Sequence, residues 1–311
     1  MTAGHISVAP PYSLARTLTS GQCFRWHVLP GAAGRPAKEI VARGIVDGAV
    51  AIVTQHPRGV SVIWEGRAGS LALLRRHLGA DQPLGAVETE LARDRVLRRL
   101  LRNTSGIALM RQEPWECLVS FVVSAFNNIP KITQSVRLIA QRFGSKIGGA
   151  SGPDAWSFPR PDRLAHARPA ELRGCILGYR APYVRALARR VADGRVDLDR
   201  IASLPYADAR AMLLDLPGVG EKVADCVLLF ALGHHDAFPV DVWVQRAVER
   251  WYFQGRRMTP RAIRAWAHDR FGGLAGYAQQ HIFAAARARG SGKRAGSAEP
   301  VASELVPERV D

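Results

Sequence analysis

The apolar residues of this chain change their spacing near residue 71, and that change limits the class of fold that the chain can adopt. Before this point apolar and polar residues alternate, as at Val60, Val62 and Trp64, which is the period of a strand with one buried face. After it, apolar residues recur every three or four positions, which is the period of a helix. The sequence therefore predicts an α+β protein, with an N-terminal antiparallel β-sheet domain packed on an all-helical domain.

The first part of the chain, residues 5–95, is predicted to form the sheet domain. Asp47-Gly48 separates two strand-like runs and suits a two-residue hairpin turn. A Gly/Pro/Ala-rich loop is predicted at 31–38. The predicted strands are 22–28, 39–46, 49–54 and 60–64.

The second part, residues 96–288, is predicted to be helical. Asn128 followed by Pro130 marks the start of one helix and Gly144 its end, while Thr259-Pro260 opens a later one. The predicted helices are 114–126, 128–144, 182–193, 207–214, 221 onward, 260–272 and 274–289. Residues 289–311 turn polar and are predicted to be a disordered tail.

The net charge of the 311 residues is +16, which favours a polyanionic partner such as nucleic acid, although a general preference for arginine is an alternative explanation. No apolar run is long enough to span a bilayer and no secretory signal is evident, so we expect a cytoplasmic protein without a membrane partner. The cysteines lack metal-binding spacing, which predicts reduced thiols and neither a metal nor a cofactor. They are Cys23, Cys117, Cys175 and Cys226.

A tight turn joins the helix at 207–214 to the helix that begins at Glu221. Gly218 and Gly220 bracket Val219, so the turn can tighten and another backbone can approach it closely. The N–H groups that open the second helix can hold a phosphate. Such a hairpin grips a nucleic-acid backbone without reading bases, and the alternative is an ordinary corner between two helices.

Lys222 lies on the first turn of that second helix and is one of only five lysines among 43 basic residues. The positive end of the helix dipole disfavours an ammonium there, and burial would disfavour it further. A neutral amine is what a Schiff-base nucleophile requires. The alternative is a surface lysine that contacts phosphate.

Asp241 follows Pro239-Val240 at the head of a predicted helix. An aspartate in this place is first of all an N-cap. A capping carboxylate is also rigid and partly desolvated, so its fixed negative charge can stabilise a positive carbon that develops beside it. The two roles are compatible.

The run Leu216-Pro-Gly-Val-Gly-Glu-Lys-Val-Ala-Asp-Cys226, followed by Pro239-Val-Asp241, resembles the helix–hairpin–helix DNA glycosylases of the HhH-GPD superfamily. More narrowly, it resembles 8-oxoguanine DNA glycosylase/AP lyase. The resemblance implies base excision repair by a monomer that acts on double-stranded DNA containing oxidised guanine. Lys222 would attack C1′ of the damaged nucleotide with help from Asp241, and the resulting imine would allow a strand nick by β-elimination. The expected location is then the nucleoid in a bacterium or the nucleus in a eukaryote.

Further segments carry the same resemblance. The run Ser20-Gly-Gln-Cys-Phe-Arg-Trp26 is similar to the family's N-terminal signature, in which the Gly21 carbonyl would accept the N7 hydrogen that only oxidised guanine carries. Gln279 and Phe283 would hold the base edge and stack on the ring, and Cys226 is assigned to base recognition. Without the resemblance, Phe283 would be read as a core residue.

Two loops complete the resemblance. Tyr179 and Arg180 match the loop that fills the space left by an extruded base. Asn127 and Asn128 match the asparagine-rich turn that meets the opposite strand, and Lys131 on the helix that follows is also assigned to DNA binding. The chain departs from the family at Phe126, where a third asparagine is common, and at Trp243, where histidine can occur. These departures leave the opposite-base preference and one phosphate contact open.

Two other functions stay compatible with the sequence. One is a glycosylase for alkylated bases without lyase activity, although such enzymes keep the aspartate and lack the lysine. The other is a non-catalytic DNA-binding protein that uses the hairpin for backbone grip, with Asp241 only a helix cap and Phe283 only a core residue.

Overall fold

Five strands form one antiparallel sheet in the part of the chain that the computed structural model describes, residues 2–29, 40–57, 59–152 and 154–292. The sheet order is β1-β5-β4-β3-β2. The strands are β1 (Thr2–Ile6), β2 (His27–Val28), β3 (Ile40–Val46), β4 (Ala49–His56) and β5 (Gly59–Glu65).

Helices follow the sheet and account for most of the remaining described chain. The first eight are α1 (Leu14–Thr19), which precedes β2, and then α2 (Leu71–His77), α3 (Leu84–Leu91), α4 (Arg95–Thr104), α5 (Pro114–Val123), α6 (Ile129–Phe143), α7 (Pro161–Ala165) and α8 (Pro169–Arg173). The others are α9 (Ala181–Ala192), α10 (Leu198–Ala202), α11 (Tyr206–Leu214), α12 (Glu221–Phe230), α13 (Val242–Tyr252), α14 (Pro260–Phe271) and α15 (Ala275–Gly292). Short 3-10 turns lie at Gly178–Arg180 and Gly272–Leu274.

The predicted hairpin and the buried face of the sheet are confirmed. Asp47 and Gly48 have φ values of 53° and 62°, as a two-residue hairpin turn requires, and Val46 pairs with Ala49. On β5, Val62 and Trp64 are each 1% exposed. The α+β fold predicted from the two apolar periods is therefore correct.

The strand predicted at 22–28 is wrong for most of its length, because only His27 and Val28 pair with β3. The buried Gln22 side chain binds the chain at Ala108 and Met110 instead, and this holds the segment away from the sheet. The alternation of apolar and polar residues correctly indicated which side chains are buried, but it did not indicate which part of the backbone pairs with a neighbouring strand. Strand β1 escaped prediction because its residues, TAGHI, do not alternate.

Helix starts agree with the predicted caps. The side chains of Asn128, Asp241 and Thr259 each accept a hydrogen bond from the first turn of α6, α13 and α14 respectively. The predicted helix 114–126 ends earlier, at Val123, because Phe126 takes a left-handed conformation with φ +49°. The predicted loop 31–38 and the tail from residue 293 lie outside the described residues, and α15 runs to Gly292.

One hydrophobic core joins the sheet to the helices, running from Ile6 in β1 to Ala286 in α15. Helix α5 lies at its centre, and its residues from Cys117 to Val123 are all buried. The end of this central helix therefore has a fixed position. Among the described residues, no helix is both long and apolar enough to cross a bilayer.

Candidate active site

The turn between α11 and α12 forms one wall of the site. Gly218 has φ +80°, and a Cβ atom there would lie 2.7 Å from Tyr183 Cβ, so both the backbone and the packing require glycine. Val219 is 7% exposed and anchors the turn in the core. Gly220 caps α12 without a side-chain hydrogen bond, and nothing lies within 4 Å of the Cβ position that it lacks. The first N–H groups of α12 are therefore accessible to an anion.

Lys222, on the first turn of α12, is half-buried and its amine is held in place. Nζ donates a 3.0 Å hydrogen bond to Ser124 Oγ, and Ser124 Oγ donates a 2.7 Å bond to the Phe121 carbonyl. The same nitrogen lies 4.9 Å from the centroid of the Phe121 ring. The end of α5 therefore fixes the direction in which the amine points.

Cys226 lies one turn further along α12 and is 3% exposed. Burial raises the pKa of its thiol to about 12, and the nearby charge of Lys222 reverses only part of that shift. At neutral pH the sulfur is therefore a thiol rather than a thiolate. It packs beside the lysine and does not compete with it as a nucleophile.

Asp241 is the N-cap of α13. Its Oδ1 accepts hydrogen bonds from the Trp243 and Val244 N–H groups at 3.0 and 2.8 Å, while Oδ2 takes no part in the cap. Burial raises the pKa of the carboxyl, and the capping N–H of Val244 and the charge of Lys222 counteract part of the rise. The carboxylate is thus rigid, largely desolvated and within the electrostatic reach of Lys222.

Gly21 and Phe283 meet on the same side of the molecule. A Cβ atom on Gly21 would lie 3.0 Å from a Phe283 ring carbon and 3.2 Å from Ile129 Cδ1. Arg287 lies over the Phe283 ring, 5.6 Å from its centroid, and its charge stabilises the Asp241 carboxylate. The structure therefore brings the predicted recognition glycine and aromatic ring together, with a guanidinium linking them to Asp241.

A cavity of about 380 Å³ opens beside this group, within the size range of small-molecule sites. Ser20, Phe283 and Arg287 line it on the side of the site, whereas Lys222 and Asp241 do not line it. The Phe283 ring also lies close to Gly21, since a Cβ atom there would be 3.0 Å from it. A planar ligand between Gly21 and Phe283 would require the ring to move.

Gln279 is 4% exposed and is held by protein groups. Its amide donates a 3.1 Å hydrogen bond to the Pro239 carbonyl, and its oxygen accepts one of 2.9 Å from Gln280. The first bond ties α15 to the segment just before Asp241. The predicted contact of Gln279 with a base edge remains a prediction, and it would require this side chain to change partners.

A cluster of buried ionic side chains packs against α12. Asp225 is fully buried, and its Oδ1 accepts a 2.7 Å hydrogen bond from Arg210 Nε and a 3.1 Å bond from the Tyr206 hydroxyl. Arg264 lies within 3.7 Å of the second carboxylate oxygen and also pairs with Glu221 at 2.7 Å. These contacts hold the first turns of α12 against α11 and α14, so the backbone that carries Lys222 has a fixed position.

The loop that carries Tyr179 and Arg180 is attached to the end of α5. Arg180 is 9% exposed, and its Nε donates a 2.7 Å hydrogen bond to the Ala125 carbonyl. The Tyr179 hydroxyl donates to the same carbonyl at 3.3 Å, and its ring is 54% exposed. Arg180 thus serves as a clamp on the α5–α6 turn, while the Tyr179 ring faces solvent.

The predicted asparagines occupy the turn beyond this clamp. Asn127 Nδ2 donates to the Val123 carbonyl at 3.3 Å, and Asn128 Oδ1 caps α6 by accepting from the Lys131 N–H at 3.0 Å. Asn128 and Lys131 are exposed, so the amide of one and the amine of the other face solvent. Contacts of these side chains with another molecule remain predictions.

Sequence reasoning missed three residues of this arrangement, namely Ser124, Phe121 and Arg287. Ser124 is separated from Lys222 by 98 positions, so only the fold reveals their contact. Arg287 belongs to the same helical face as Phe283, four positions away, and its spacing alone was a usable signal.

Two family models match the chain. The model of the HhH-GPD superfamily base excision DNA repair proteins matches residues 119–271, which contain the hairpin, Lys222 and Asp241. The model of the 8-oxoguanine DNA glycosylase N-terminal domain matches residues 8–118, which contain Gly21.

Named relatives agree with these models. The chain is 31% identical over 291 residues to the N-glycosylase/DNA lyase OGG1 of Arabidopsis thaliana, spanning 88% of this chain and 77% of the relative. It is 33% identical over 217 residues to a probable N-glycosylase/DNA lyase of Methanothermobacter thermautotrophicus, spanning 63% of this chain and 69% of the relative. Its fold matches the Clostridium acetobutylicum 8-oxoguanine glycosylase/lyase bound to DNA with a TM-score of 0.84 and 28% identity, over 93% of this chain and 99% of that one.

Proposed function

The chain belongs to the HhH-GPD superfamily of base excision DNA repair proteins and, within it, to the 8-oxoguanine glycosylases; on this premise we propose that it excises 8-oxoguanine from duplex DNA through an imine on Lys222. It is a DNA N-glycosylase with AP lyase activity. The observation that carries the mechanism is the position of the lysine. Its amine is held by Ser124 next to the hairpin, and the desolvated Asp241 carboxylate lies within its electrostatic reach.

Chemistry at the sugar requires the damaged nucleotide to leave the helix. C1′ and the base edge are inaccessible within a stacked duplex, so the nucleotide is extruded toward the group formed by Gly21, Phe283 and Asp241. The hairpin N–H groups at the start of α12 would hold the DNA backbone nearby. The basic chain supplies the general attraction to DNA, which we expect to weaken steeply with salt.

In the first chemical step, the Lys222 nitrogen lone pair bonds to C1′ as the C1′–N9 bond breaks and its electron pair leaves with the base. The leaving base takes up a proton, and the amine loses one. Only the neutral amine can attack, so Lys222 gives up its ammonium proton before its nitrogen bonds to C1′. Positive charge develops at the sugar as the base departs, and the fixed charge of Asp241 stabilises it.

In the second step, the C1′–O4′ bond breaks and O4′ takes up the remaining amine proton, which gives an imine between Lys222 and C1′. The imine makes the hydrogens on C2′ acidic, because the electron pair released there is shared with the C=N bond. Removal of one such proton expels the 3′-phosphate from C3′, which cuts the strand. Water then hydrolyses the imine and frees the lysine for another round.

Borohydride trapping tests this mechanism. The full chain is incubated with an 8-oxoguanine duplex and sodium borohydride, which reduces an imine to a stable amine and leaves a covalent protein–DNA adduct. We expect an adduct with the native chain and with Lys146→Gln, whose lysine is exposed and outside the site. Excision without an adduct would indicate a glycosylase that lacks the lyase step, and duplex binding without excision would indicate a non-catalytic binding protein.

Gly21→Ala should impair base recognition while sparing the later chemistry. The new side chain would have φ near +80° and would lie 3.0 Å from the Phe283 ring, so the backbone or the ring must shift. A left-handed alanine costs about 1–2 kcal/mol, and a displaced carbonyl loses its hydrogen bond to N7–H. We expect 8-oxoguanine excision to slow by about tenfold or more.

Two measurements separate this effect from general damage. Cleavage of a preformed abasic site needs no base recognition, so Gly21→Ala should retain it. The control is Gly85→Ala on the exposed face of α3, where a Cβ meets only the Pro10 carbonyl at an ordinary 3.6 Å, and it should behave as the native chain. Undiminished excision by Gly21→Ala would remove Gly21 from the recognition group.

A further inference from the structure

Phe126 is the most exposed large hydrophobic residue of the described chain, at 98%. It lies on the turn between α5 and α6, and its φ is +49°, in the left-handed region that a phenylalanine rarely adopts. Because the ring is surrounded by water, no burial of apolar surface offsets the strain in its backbone. The fold therefore holds an apolar ring in water on a strained backbone, which suits a ring that contacts a partner.

The strained turn is built firmly. Arg180 donates hydrogen bonds to the carbonyls on both sides of the Ala125–Phe126 peptide, through Nε and Nη2 to Ala125 and through Nη2 to Phe126 at 3.0 Å. This guanidinium is almost fully buried, so the clamp is part of the core rather than a surface contact. The ring of Phe126 thus projects from a rigid base.

The turn that carries the Phe126 ring lies beside the candidate active site. Ser124, which receives the hydrogen bond of Lys222, is only two residues before Phe126, a chain distance of at most about 7 Å. The hydroxyl of Tyr179 donates to the same Ala125 carbonyl, so a second exposed ring is fixed to this turn. Two exposed aromatic rings are therefore attached to the turn that follows Ser124.

The stretch of chain that carries the ring is basic, which favours nucleic acid over an apolar protein or lipid surface. The segment 117–153 contains no aspartate or glutamate. The nearest charged residue in sequence is Lys131, which is exposed on the first turn of α6. An exposed ring on such a basic segment can reach the bases between two phosphate backbones, where aromatic side chains stack on base faces.

We propose that Phe126 enters the duplex at the damaged pair and stacks on the base that remains in the opposite strand. The inference rests on the proposed function, because only extrusion of the damaged nucleotide opens this space. A phenyl ring has no hydrogen-bonding group, so it supports any of the four bases through their faces and reads none of them. The protein consequently excises the lesion with little dependence on the opposite base.

The test measures affinity for duplexes that carry a tetrahydrofuran abasic-site analogue opposite each of the four bases. We expect the native affinities to agree within about threefold, and Phe126→Ala to weaken all four together by about tenfold, as for other base-stacking rings. Phe126→Trp should retain native affinity. Phe126→Asn should separate the four duplexes, because an amide can hydrogen-bond the edges of particular bases.

Ile63→Ala is the matched control, since it also removes an exposed hydrophobic side chain, 42% accessible, but on strand β5 of the sheet. It should bind all four duplexes as the native chain does. The Phe126 variants should keep the native melting temperature, because this ring contributes little to the core. Native affinity in Phe126→Ala, or a strong opposite-base preference in the native chain, would overturn the inference.

These duplexes contain no glycosidic bond, so the result does not depend on the chemistry of Lys222. If the chain binds these duplexes through Phe126 but forms no borohydride adduct, insertion of Phe126 is supported and the imine mechanism is refuted. If the chain forms the adduct while Phe126→Ala binds normally, the imine mechanism is supported and insertion of Phe126 is refuted.

Discussion

Lys222→Gln is expected to abolish both excision of 8-oxoguanine and cleavage of the strand. Glutamine is close to lysine in length and can still donate a hydrogen bond to Ser124, but it has no lone pair that can attack C1′. Loss of a covalent nucleophile costs on the order of 10⁴-fold or more in rate. Single-turnover assays with an end-labelled 8-oxoguanine duplex, scored before and after alkali, measure the two activities separately.

The same variant should still bind DNA. The hairpin, the α12 amide groups and the other basic residues are unchanged, so duplex affinity should fall by less than about tenfold, the effect of one lost charge. Lys146→Gln removes an equal charge outside the site and should retain full activity. Excision at the native rate by Lys222→Gln would refute the nucleophile, whereas excision with loss of strand cleavage alone would assign Lys222 to the lyase step only.

Local sequence signals predicted the parts of this site that depend on helix ends. Asp241 was placed correctly as a cap because the preference for aspartate at this position is a property of the first helical turn. The glycine turn before α12 was predictable for the same reason, since Gly218 requires a positive φ. In both cases the physical cause lies within about four residues.

The contacts that direct the lysine depend on the fold and escaped prediction. Ser124 meets Lys222 across 98 positions of sequence, and no pattern around either residue encodes the pairing. The end of α5 is a further case, because the apolar run to Phe126 favours a longer helix while a clamp from Arg180, 54 positions away, sets the turn. Long-range hydrogen bonds thus decided what local propensity left open.

Strand pairing in the sheet likewise depends on long-range contacts that local sequence patterns do not reveal. Alternation around Phe24 and Trp26 predicted burial, and both rings are buried at 5% and 8% exposure. The segment nevertheless stays outside the ladder, because Gln22 binds the backbone at 108–110. The consequence matters for function, since this departure from the sheet carries Gly21 to Phe283 instead of leaving it at a strand edge.

Asp241→Asn should slow excision by about 10²-fold or more while leaving the fold almost unchanged, because a preorganised charge beside the developing positive sugar is lost. Asparagine also caps helices, so the hydrogen bonds to Trp243 and Val244 can persist. The neutral amide also avoids burying a charge, and the free energy of unfolding should change by no more than about 1 kcal/mol. Asp197→Asn, which alters the corresponding cap of α10, should leave the excision rate at the native value.

The pH profile distinguishes a charged role of Asp241 from a structural one. Burial raises the pKa of this carboxyl above the ordinary value of 3.8, so it becomes protonated at a higher pH than an exposed aspartate. If the ionised form is required, excision by the native chain falls as the pH drops through that raised pKa, and Asp241→Asn lacks this dependence because its residual rate never involves the charge. Single-turnover rates between about pH 4 and 8 measure both profiles. An equal decline in the two proteins would reduce Asp241 to a helix cap and would leave the developing sugar charge to be stabilised by another group.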